Sequence, residues 1–354
     1  MQLYNKMSAE QRRNLILEAG EKRLTLSFYQ YHHIRNPRFF RDKLFLDWNE
    51  LNVLGRTYVA KEGINAQISV PSANFDALRE KLSEVTFLDG IRLNVAIEQD
   101  NLSFLKLKIK VRDKIVADGL DDSTFDVTDS GIHVDARTFN ELSEDPDTII
   151  VDMRNHYESE VGHFEGAITP DVDTFRESLP IIATELDDFK ENKNVVMYCT
   201  GGIRCEKASA YFKHRGFKKV YQLDGGIIEY TRRAKEEGLD LKFKGKNFVF
   251  DERRAERITE DIISVCHQCG ETCDDHTNCA NASCHLLFIQ CPSCAEAYHG
   301  ACSEECSTVV QLPVEDQKVL RKGKVAGKEQ FSKGRSSVLR YKNPKTEAVA
   351  PYNT

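Results

Sequence analysis

The chain has 354 residues, and at roughly 100–200 residues per domain it is expected to form two or three domains. Hydrophobic residues make up 40% and charged residues 30%, which is typical of a globular protein and excludes a fibrous or wholly disordered one. No window approaches the roughly 18 apolar residues of a membrane span, and the N-terminal segment lacks the apolar core of a secretory signal. We therefore expect a cytoplasmic protein with no membrane partner.

Charge and cysteine are both unevenly distributed. The net charge is −7, yet residues 307–354 contain ten Lys and Arg against four Asp and Glu, which gives this tail +6 and leaves −13 for the rest. Such a tail is either a nucleic-acid contact or a solvated extension, and its Gly and Ser content predicts disorder. Nine of the eleven cysteines lie between Cys266 and Cys306. In the expected reducing compartment, metal binding or thiol chemistry explains them better than disulfides do.

The first part of the chain predicts an amphipathic helix over residues 1–23 and a small α+β domain over 24–112. In the second range, strand-like and helical runs follow the order strand, helix, strand, helix, strand, strand, which is typical of a ferredoxin-like fold. The helical runs are NPRFFRDKLFLDWNELN and NFDALREKLSEV. The strand-like runs are LTLSFYQYHHI, GRTYVAKEGINAQISV, IRLNVAIEQD and LSFLKLKIKV.

Basic residues line one side of the last of these strands. Its alternation places Lys106, Lys108 and Lys110 on one face and apolar residues on the other. The lysines are either a phosphate-binding stripe or an ordinary solvated face opposite the core. Arg56 and Lys61 lie beside the EGIN turn and favour the first interpretation. These five cations are candidate contacts to a nucleic acid.

A second domain is predicted over residues 131–241, after an acidic, turn-rich linker over 113–130. The apolar runs TIIVDMR, NVVMYC and KVYQLDGG alternate with helical stretches such as CEKASAYFKHRG. This alternation predicts an open parallel sheet with helices on both faces. Functional residues of such sheets collect at the C-terminal ends of the strands.

The segment after NVVMYC carries the strongest chemical signal. Cys199 ends the strand, two glycines let backbone N–H groups turn inward, and a helix opens near Cys205. Together with the charge of Arg204, this environment favours a nucleophilic thiolate at Cys199, which can form a covalent adduct or carry a persulfide. The alternative is a buried structural cysteine. The supporting loop residues are Thr200, Gly201, Gly202, Ile203 and Cys205.

Three neighbouring residues have open roles. Cys205 is either a resolving thiol or the first residue of the helix. Asp152 and Arg154 end the first apolar strand of this domain, near the same edge of the sheet. Asp152 is better explained as an anchor for loop N–H groups than as a general base.

The segments VDMRNHYESEVGHFEGAI, VVMYCTGGIRC and VYQLDGGI resemble a rhodanese domain. The six-residue loop from Cys199 to Arg204 matches the sulfurtransferase type, whereas phosphatase relatives generally have one residue more. With EGIN, NFVFDERRAERI and the cysteine-rich C-terminal part, nearly the whole chain resembles the rhodanese-containing tRNA uridine(34) hydroxylases.

This resemblance implies an enzyme of the oxidoreductase class that converts the wobble uridine of tRNA to 5-hydroxyuridine in a monooxygenase-type reaction. It implies Cys199 as the active-site cysteine, Arg204 as the residue that closes its loop, molecular oxygen as co-substrate and the tRNA anticodon stem-loop as partner. The N-terminal α+β domain is then an RNA-handling domain. The residues alone indicate only an activated thiolate, so a sulfurtransferase with a persulfide on Cys199 is the alternative, and a non-catalytic RNA-binding regulator is a third hypothesis.

Two roles of the cysteine fit the hydroxylase hypothesis. Cys199 either adds to C6 of the uracil, which makes C5 electron-rich, or serves as a persulfide or sulfenate relay. The sequence shows no haem motif, flavin fingerprint or nicotinamide signature.

A cysteine-rich module is predicted over residues 242–306. Two Cys-x2-Cys turns, Cys266 with Cys269 and Cys291 with Cys294, have nearly the spacing of a zinc ribbon and predict a structural Zn²⁺. The alternatives are an Fe–S cluster or a redox-active thiol store. The other residues of the module provide ligands for a second site with undefined pairing: Cys273, Cys279, Cys284, Cys302, Cys306, His276, His285 and His299.

Overall fold

A computed structural model of the chain describes residues 7–121, 124–322 and 333–335. They fall into two compact units. The first consists of Met1–Arg154, Gly166–Lys242 and Phe248–Arg257, and the second of Asn155–Glu165, Phe243–Asn247 and Ile258–Thr354. Within the described residues, no helix combines the length and the apolar character that a bilayer crossing requires.

The helices are α1 (Ala9–Ala19), α2 (Pro37–Glu50), α3 (Phe75–Ser83), α4 (Ala136–Glu144), α5 (His156–Ser159), α6 (Phe175–Glu185), α7 (Ile203–His214), α8 (Gly226–Glu237), α9 (Pro292–Ala297), α10 (Glu304–Val310) and α11 (Val314–Arg321). The strands are β1 (Arg23–Tyr31), β2 (Leu54–Ala60), β3 (Gly63–Pro71), β4 (Asn94–Val95), β5 (Leu107–Val111), β6 (Ile132–Val134), β7 (Thr148–Asp152), β8 (Gly162–Phe164), β9 (Asn194–Tyr198), β10 (Lys219–Leu223), β11 (Phe243–Phe248), β12 (Ala255–Arg257), β13 (His276–Asn278) and β14 (Leu287–Ile289). Short 3₁₀ helices lie at Ser72–Asn74, Thr86–Leu88 and Asp187–Phe189.

The N-terminal part of the first unit is a five-stranded sheet in the order β4-β1-β3-β2-β5. Strand β1 is antiparallel to β3 and β4, β2 is antiparallel to β3, and β5 joins β2 in parallel. Helices α2 and α3 pack their apolar sides, including Trp48 and Leu78, against the Phe28 face of the sheet. The first four strands confirm the ferredoxin-like α+β prediction, and β5 extends it by one strand.

Some local boundaries differ from those that the sequence predicts. The run GRTYVAKEGINAQISV forms the hairpin β2–β3 rather than one strand, because Lys61 and Glu62 make a two-residue turn without the usual Asn-Gly or Asp-Gly signal. An added Cβ on Gly63 would lie 2.0 Å from the carbonyl oxygen of Gln30, so the close approach of β1 requires glycine there. Helix α1 ends at Ala19, before a left-handed Gly20, rather than near residue 23.

The rest of the first unit contains a parallel sheet in the order β6-β10-β9-β7, which confirms the predicted open α/β fold. The three predicted strands are β7, β9 and β10, and the three-residue β6 was missed. Neighbouring residues Val195 and Val196 are both 0% exposed, so both faces of the sheet are covered. Helices α6 and α7 pack on the Val195 face, while α4 and α8 meet through Phe139 and Tyr230.

A buried ion cluster joins three parts of the first unit. The Nζ atom of Lys207, on α7, lies 2.7 Å from Glu62 in the β2–β3 turn and 2.8 Å from Asp118. Lys207 is 0% exposed and Asp118 is 1% exposed. Asp118 lies in the segment predicted as a linker; in its described part this segment forms no helix or strand, but it is packed, with Ile115 also buried. Removal of one partner from such a cluster costs roughly 3–5 kcal/mol of stability.

The second unit has little regular structure. Strand β11 pairs with β8 and β13 pairs with β14, both antiparallel. Disorder was predicted for the tail from residue 307, but residues 307–321 are largely helical. Helix α10 continues to Val310, and α11 follows it. Helix α11 has acidic residues in its first turn and basic residues in its last turn, which suits the helix dipole. Of the remaining tail, only residues 333–335 are described beyond residue 322, and the Gly334 N–H donates to the Leu287 carbonyl at 2.7 Å.

Candidate active site

The loop between β9 and α7 surrounds the sulfur of Cys199 with backbone N–H groups. The Gly202 N–H donates to the Cys199 Sγ at 3.2 Å. Gly202 has φ 97°, and an added Cβ would lie 2.8 Å from the Tyr29 hydroxyl. Both the backbone conformation and the close approach of Tyr29 therefore require glycine at this position.

The start of α8 supports this loop from the other side. The N–H groups of Ile227 and Ile228 donate to the carbonyls of Cys199 at 3.0 Å and Thr200 at 3.3 Å. An added Cβ on Gly226 would lie 2.4 Å from the Cys199 carbonyl oxygen. The second glycine of VYQLDGGI therefore allows α8 to approach and fix the loop.

The environment of Cys199 favours the thiolate. Complete burial by itself raises the pKa of Cys199, but the hydrogen bond from the Cys205 thiol, the charge of Arg204 and the N–H groups of Arg204 and Gly202 lower it. The result is a pKa of about 6 instead of 9.0. Burial and the neighbouring Cys199 thiolate raise the pKa of Cys205 well above its ordinary value. Cys205 is the third residue of α7, so it lies inside the helix and also acts as a donor to Cys199.

The charged residues predicted near the loop have different surroundings. The guanidinium of Arg204 lies over the ring of Phe250 at 6.0 Å, at the half-buried border of the loop. The Arg154 guanidinium donates to Asp152 at 2.6 Å, and the Tyr198 hydroxyl donates to the same carboxylate at 2.7 Å. Asp152 also accepts from the Arg154 N–H at 2.9 Å. These contacts are those of an anchor at the end of β7.

A cavity of about 330 Å³ reaches the loop at Gly201. Its walls come from the N-terminal sheet and from the residues around the loop, all within the first unit. Polar and aromatic groups dominate its lining, which includes Tyr29, Tyr31, Arg92, Asn94, Ser130 and Glu206. A cavity of this size is at the lower end of the range for small-molecule sites.

Glu206 organises one wall of this cavity. Its carboxylate accepts hydrogen bonds from the Tyr29 hydroxyl at 3.1 Å and the Gln222 amide at 3.0 Å, and it pairs with His133 at 2.9 Å. Burial by itself raises the pKa of Glu206, but the bonds from His133 and Gln222 lower it below its ordinary value. The hydrogen bond to Glu206 raises the pKa of His133. The wall therefore carries a hydrogen-bonded pair of a carboxylate and an imidazole. Opposite charges also meet where Arg92 donates to Asp224 at 2.6 Å.

Three of the five predicted basic residues lie on one face of the N-terminal sheet. Arg56 of β2 lies directly beside Lys108 of β5, and both are exposed. Lys110 is also exposed and lies beside Tyr58. Lys61 lies instead at the β2–β3 turn, and Lys106 precedes β5 and is half-buried.

Two of these cations, Arg56 and Lys108, lie in a cross-strand row that also reaches the cavity. Strand pairing aligns one residue from each strand on the face opposite α2 and α3, and this row consists of Asn94, Ser27, Gln67, Arg56 and Lys108. At about 4.8 Å between strands, the four steps from Asn94 to Lys108 span roughly 19 Å. One end of the row is therefore in the cavity and the other is basic and exposed.

The second unit brings eight cysteines into two groups. The sulfurs of the first group lie within 4.8 Å of one another, as do those of the second. The groups are Cys266, Cys269, Cys291 and Cys294, and Cys279, Cys284, Cys302 and Cys306. Tetrahedral zinc with Zn–S bonds of about 2.3 Å places sulfurs about 3.8 Å apart. The Cys269–Cys291 separation of 3.5 Å and the Cys284–Cys302 separation of 3.7 Å fit a metal ion.

Sequence reasoning missed several residues that shape the site. Asn94, Glu206 and Lys207 had no local signal, because each acquires its role from partners far away in the chain. Tyr29 of β1 also lines the cavity. The pairing of the second cysteine group also depends on the fold. Cys273 and the three candidate histidines, His276, His285 and His299, lie outside both groups.

The lowered pKa of Cys199 predicts its reactivity. The rate of its alkylation by iodoacetamide, followed by peptide mass spectrometry, should rise with pH and level off above an inflection at about 6. Below that pH the thiolate is protonated and the rate falls. Arg204→Gln should raise the inflection by about one pH unit, because one positive charge is lost. The control variant Arg215→Gln changes an exposed arginine at the end of α7 and should leave the inflection where it is. An inflection above 8 in the unaltered protein would contradict the argument.

Three domain families match the chain along its length. They are the UPF0176 acylphosphatase like domain at residues 23–115, the rhodanese-like domain at 135–233 and the rhodanase C-terminal domain at 244–307. A relative from Pectobacterium atrosepticum, named tRNA uridine(34) hydroxylase, is 55% identical over 334 residues, which cover 94% of each chain. Relatives with the same name from Photorhabdus laumondii and Yersinia pestis are each 54% identical over 94% of this chain and cover 95% and 94% of their own. The chain thus belongs to the tRNA uridine(34) hydroxylase family.

Proposed function

We propose that this protein hydroxylates uridine 34 of tRNA to 5-hydroxyuridine, with molecular oxygen as co-substrate and Cys199 as the reacting group. The observation that carries the proposal is an activated, buried thiolate whose loop borders a polar cavity. The relatives named tRNA uridine(34) hydroxylase, at 53–55% identity, support the substrate and the position. The reaction is then of the monooxygenase type.

The residues of the loop suggest how the base is activated. Addition of the Cys199 thiolate to C6 of uracil forms a C–S bond and moves the C5=C6 electron pair towards C5 and O4. C5 then becomes the electron-rich atom. An external two-electron donor would reduce oxygen to the peroxide level, and C5 would take one oxygen atom as the O–O bond breaks, with the other oxygen atom leaving as water. Return of the electron pair to sulfur, with loss of the proton from C5, restores the ring double bond and the thiolate. The wobble base has to leave its stack to reach the cavity.

Nucleoside mass spectrometry on tRNA tests the proposed function. Cells that lack this protein should lose a +16 Da uridine at position 34, and the unaltered protein should restore it. Cys199→Ala should not restore it, because the nucleophile is absent. Cys273→Ala is the matched control, since it removes a buried cysteine outside the loop and outside both cysteine groups.

The same measurement distinguishes the hydroxylase from the sulfurtransferase hypothesis. Unchanged 5-hydroxyuridine together with a fall in a thiolated nucleoside would favour a sulfurtransferase with a persulfide on Cys199. A change in neither nucleoside would contradict both enzymatic hypotheses.

We further propose that the basic end of the cross-strand row contacts RNA phosphates. Lys108 and Lys110 alternate with the buried Leu107 and Ile109, so their side chains point away from the core. Phosphate contacts of this kind supply affinity rather than base specificity. The row extends about 19 Å from the cavity, roughly the length of five to six stacked nucleotides at about 3.4 Å each.

Charge reversal tests this basic face. Lys108→Glu with Lys110→Glu should weaken binding of an anticodon stem-loop by about 10-fold or more at moderate salt and reduce the salt dependence of binding. The Cys199 alkylation profile should stay unchanged, because the loop is not altered. Lys218→Glu changes an exposed lysine outside this sheet and serves as the control. Equal affinities for the double variant and the control would remove these lysines from the RNA contact.

The two cysteine groups are proposed to hold one structural Zn²⁺ each. Four thiolates with the observed spacing suit tetrahedral zinc, and the small apolar core of this unit, with Phe288 and Ala301, makes metal cross-links important for its folding. The ions would fix loops of the module and take no part in the reaction.

Metal analysis of the purified protein tests this proposal. Elemental mass spectrometry should find about two zinc ions per chain, one for each cysteine group. Cys279→Ser should remove one of them, because three thiolates no longer complete the tetrahedron, whereas Cys273→Ser should retain both. Iron with acid-labile sulfide in place of zinc would indicate a cluster, and absence of both metals would contradict a metal site.

A further inference from the structure

Asn94 is a buried polar residue whose side chain has a free acceptor. It is 5% exposed and lies in the two-residue strand β4, where it lines the cavity. Its Oδ1 atom is buried and has no hydrogen-bond partner among the described residues. Buried polar groups are nearly always hydrogen-bonded in folded proteins, so an unpaired one in a residue of the cavity wall points to a partner that the cavity admits.

The position of this amide relates it to the thiolate loop. A methyl group added to Gly201 would lie 3.5 Å from the Asn94 Nδ2 atom and 4.0 Å from the Ser27 hydroxyl. Gly201 is two residues from Cys199 and borders the same cavity. A base that enters the cavity towards the loop therefore passes beside the Asn94 amide.

The chemistry of the amide complements one pyrimidine edge. Uracil presents the N3–H donor beside the O4 acceptor. An Asn side chain offers an acceptor, Oδ1, and a donor, Nδ2, in the same spacing. We propose that Asn94 binds the N3–H and O4 of the base at position 34 and thereby selects uracil over cytosine. This inference rests on the proposed function for the identity of the RNA, and it adds the residue that determines base specificity.

Antiparallel pairing with Ser27 of β1 fixes the backbone of Asn94 at the cavity wall. In the proposed complex the Nδ2 atom donates to O4 and the Oδ1 atom accepts from N3–H, and this orientation of the amide is the one that distinguishes the two bases. Cytosine reverses the pattern, with an N3 acceptor beside an N4 donor. A site whose buried groups match one base rejects the other, because the mismatched groups are desolvated and left unpaired.

The test compares two anticodon stem-loops that differ only at position 34, uridine against cytidine. The unaltered protein should bind the uridine form about 10-fold more tightly, as measured by fluorescence anisotropy. Asn94→Asp should abolish or reverse this preference, because a carboxylate repels O4 and accepts from the cytosine N4 amino group. Asn94→Ala should lower uridine binding and leave little discrimination.

Two controls separate specificity from folding. Asn192→Asp adds the same charge at an exposed turn and should retain the uridine preference. The Asn94 variants should also keep the inflection of Cys199 alkylation, which reports an intact loop. If Asn94→Asp shifts the alkylation inflection, and so has disturbed the loop, the preference between the two stem-loops is judged from Asn94→Ala instead.

The outcomes distinguish this inference from the function on which it rests. A protein that prefers the uridine stem-loop through Asn94 but forms no 5-hydroxyuridine would refute the hydroxylase and keep the specificity residue. A protein that forms 5-hydroxyuridine while Asn94→Asp and Asn94→Ala retain the original preference would refute Asn94 alone. No preference between the two stem-loops in the unaltered protein would also overturn the inference.

Discussion

The buried ammonium of Lys207 is the interaction on which the first unit depends. It lies on the helix that begins directly after the thiolate loop, and its partners are Glu62 from the β2–β3 turn and Asp118 from the segment between the two sheets. A charge with no access to water tolerates only small displacements of its partners. The EGIN motif therefore has a structural explanation, because its glutamate binds helix α7 to the N-terminal sheet.

This constraint allows the cavity to combine residues from separate parts of the chain. Tyr29 and Asn94 come from the N-terminal sheet, whereas Gly201 and Glu206 come from the thiolate loop and α7. The hydrogen bond from Tyr29 to Glu206 adds a second connection between these parts. In the interior, charges interact more strongly than in water, so Arg204 and the loop N–H groups can overcome the effect of burial on Cys199.

Local patterns in the sequence predicted much of this arrangement. Some features depend only on residues close together in the sequence and could be predicted. They are the apolar runs of β7, β9 and β10, the alternation of β5 and the glycine-rich loop after Cys199. A turn at EGIN was expected, but the hairpin at Lys61 and Glu62 was missed because its turn residues are atypical. Asn94 lies in a strand of two residues, too short for any periodicity, and the partners of Lys207 are separated from it by 145 and 89 positions in the chain. Such residues become recognisable only after the chain has folded.

The lysines of β5 have a consequence for the association of this protein with itself. Strand β5 is at the edge of the N-terminal sheet, where, within the described part of the chain, it has a sheet partner on one side only. An uncovered edge can pair with the same strand of a second molecule and extend the sheet, and charged side chains oppose this association. Lys108 and Lys110 from two copies would repel one another. The side chains proposed to bind phosphates would therefore also oppose association through this edge.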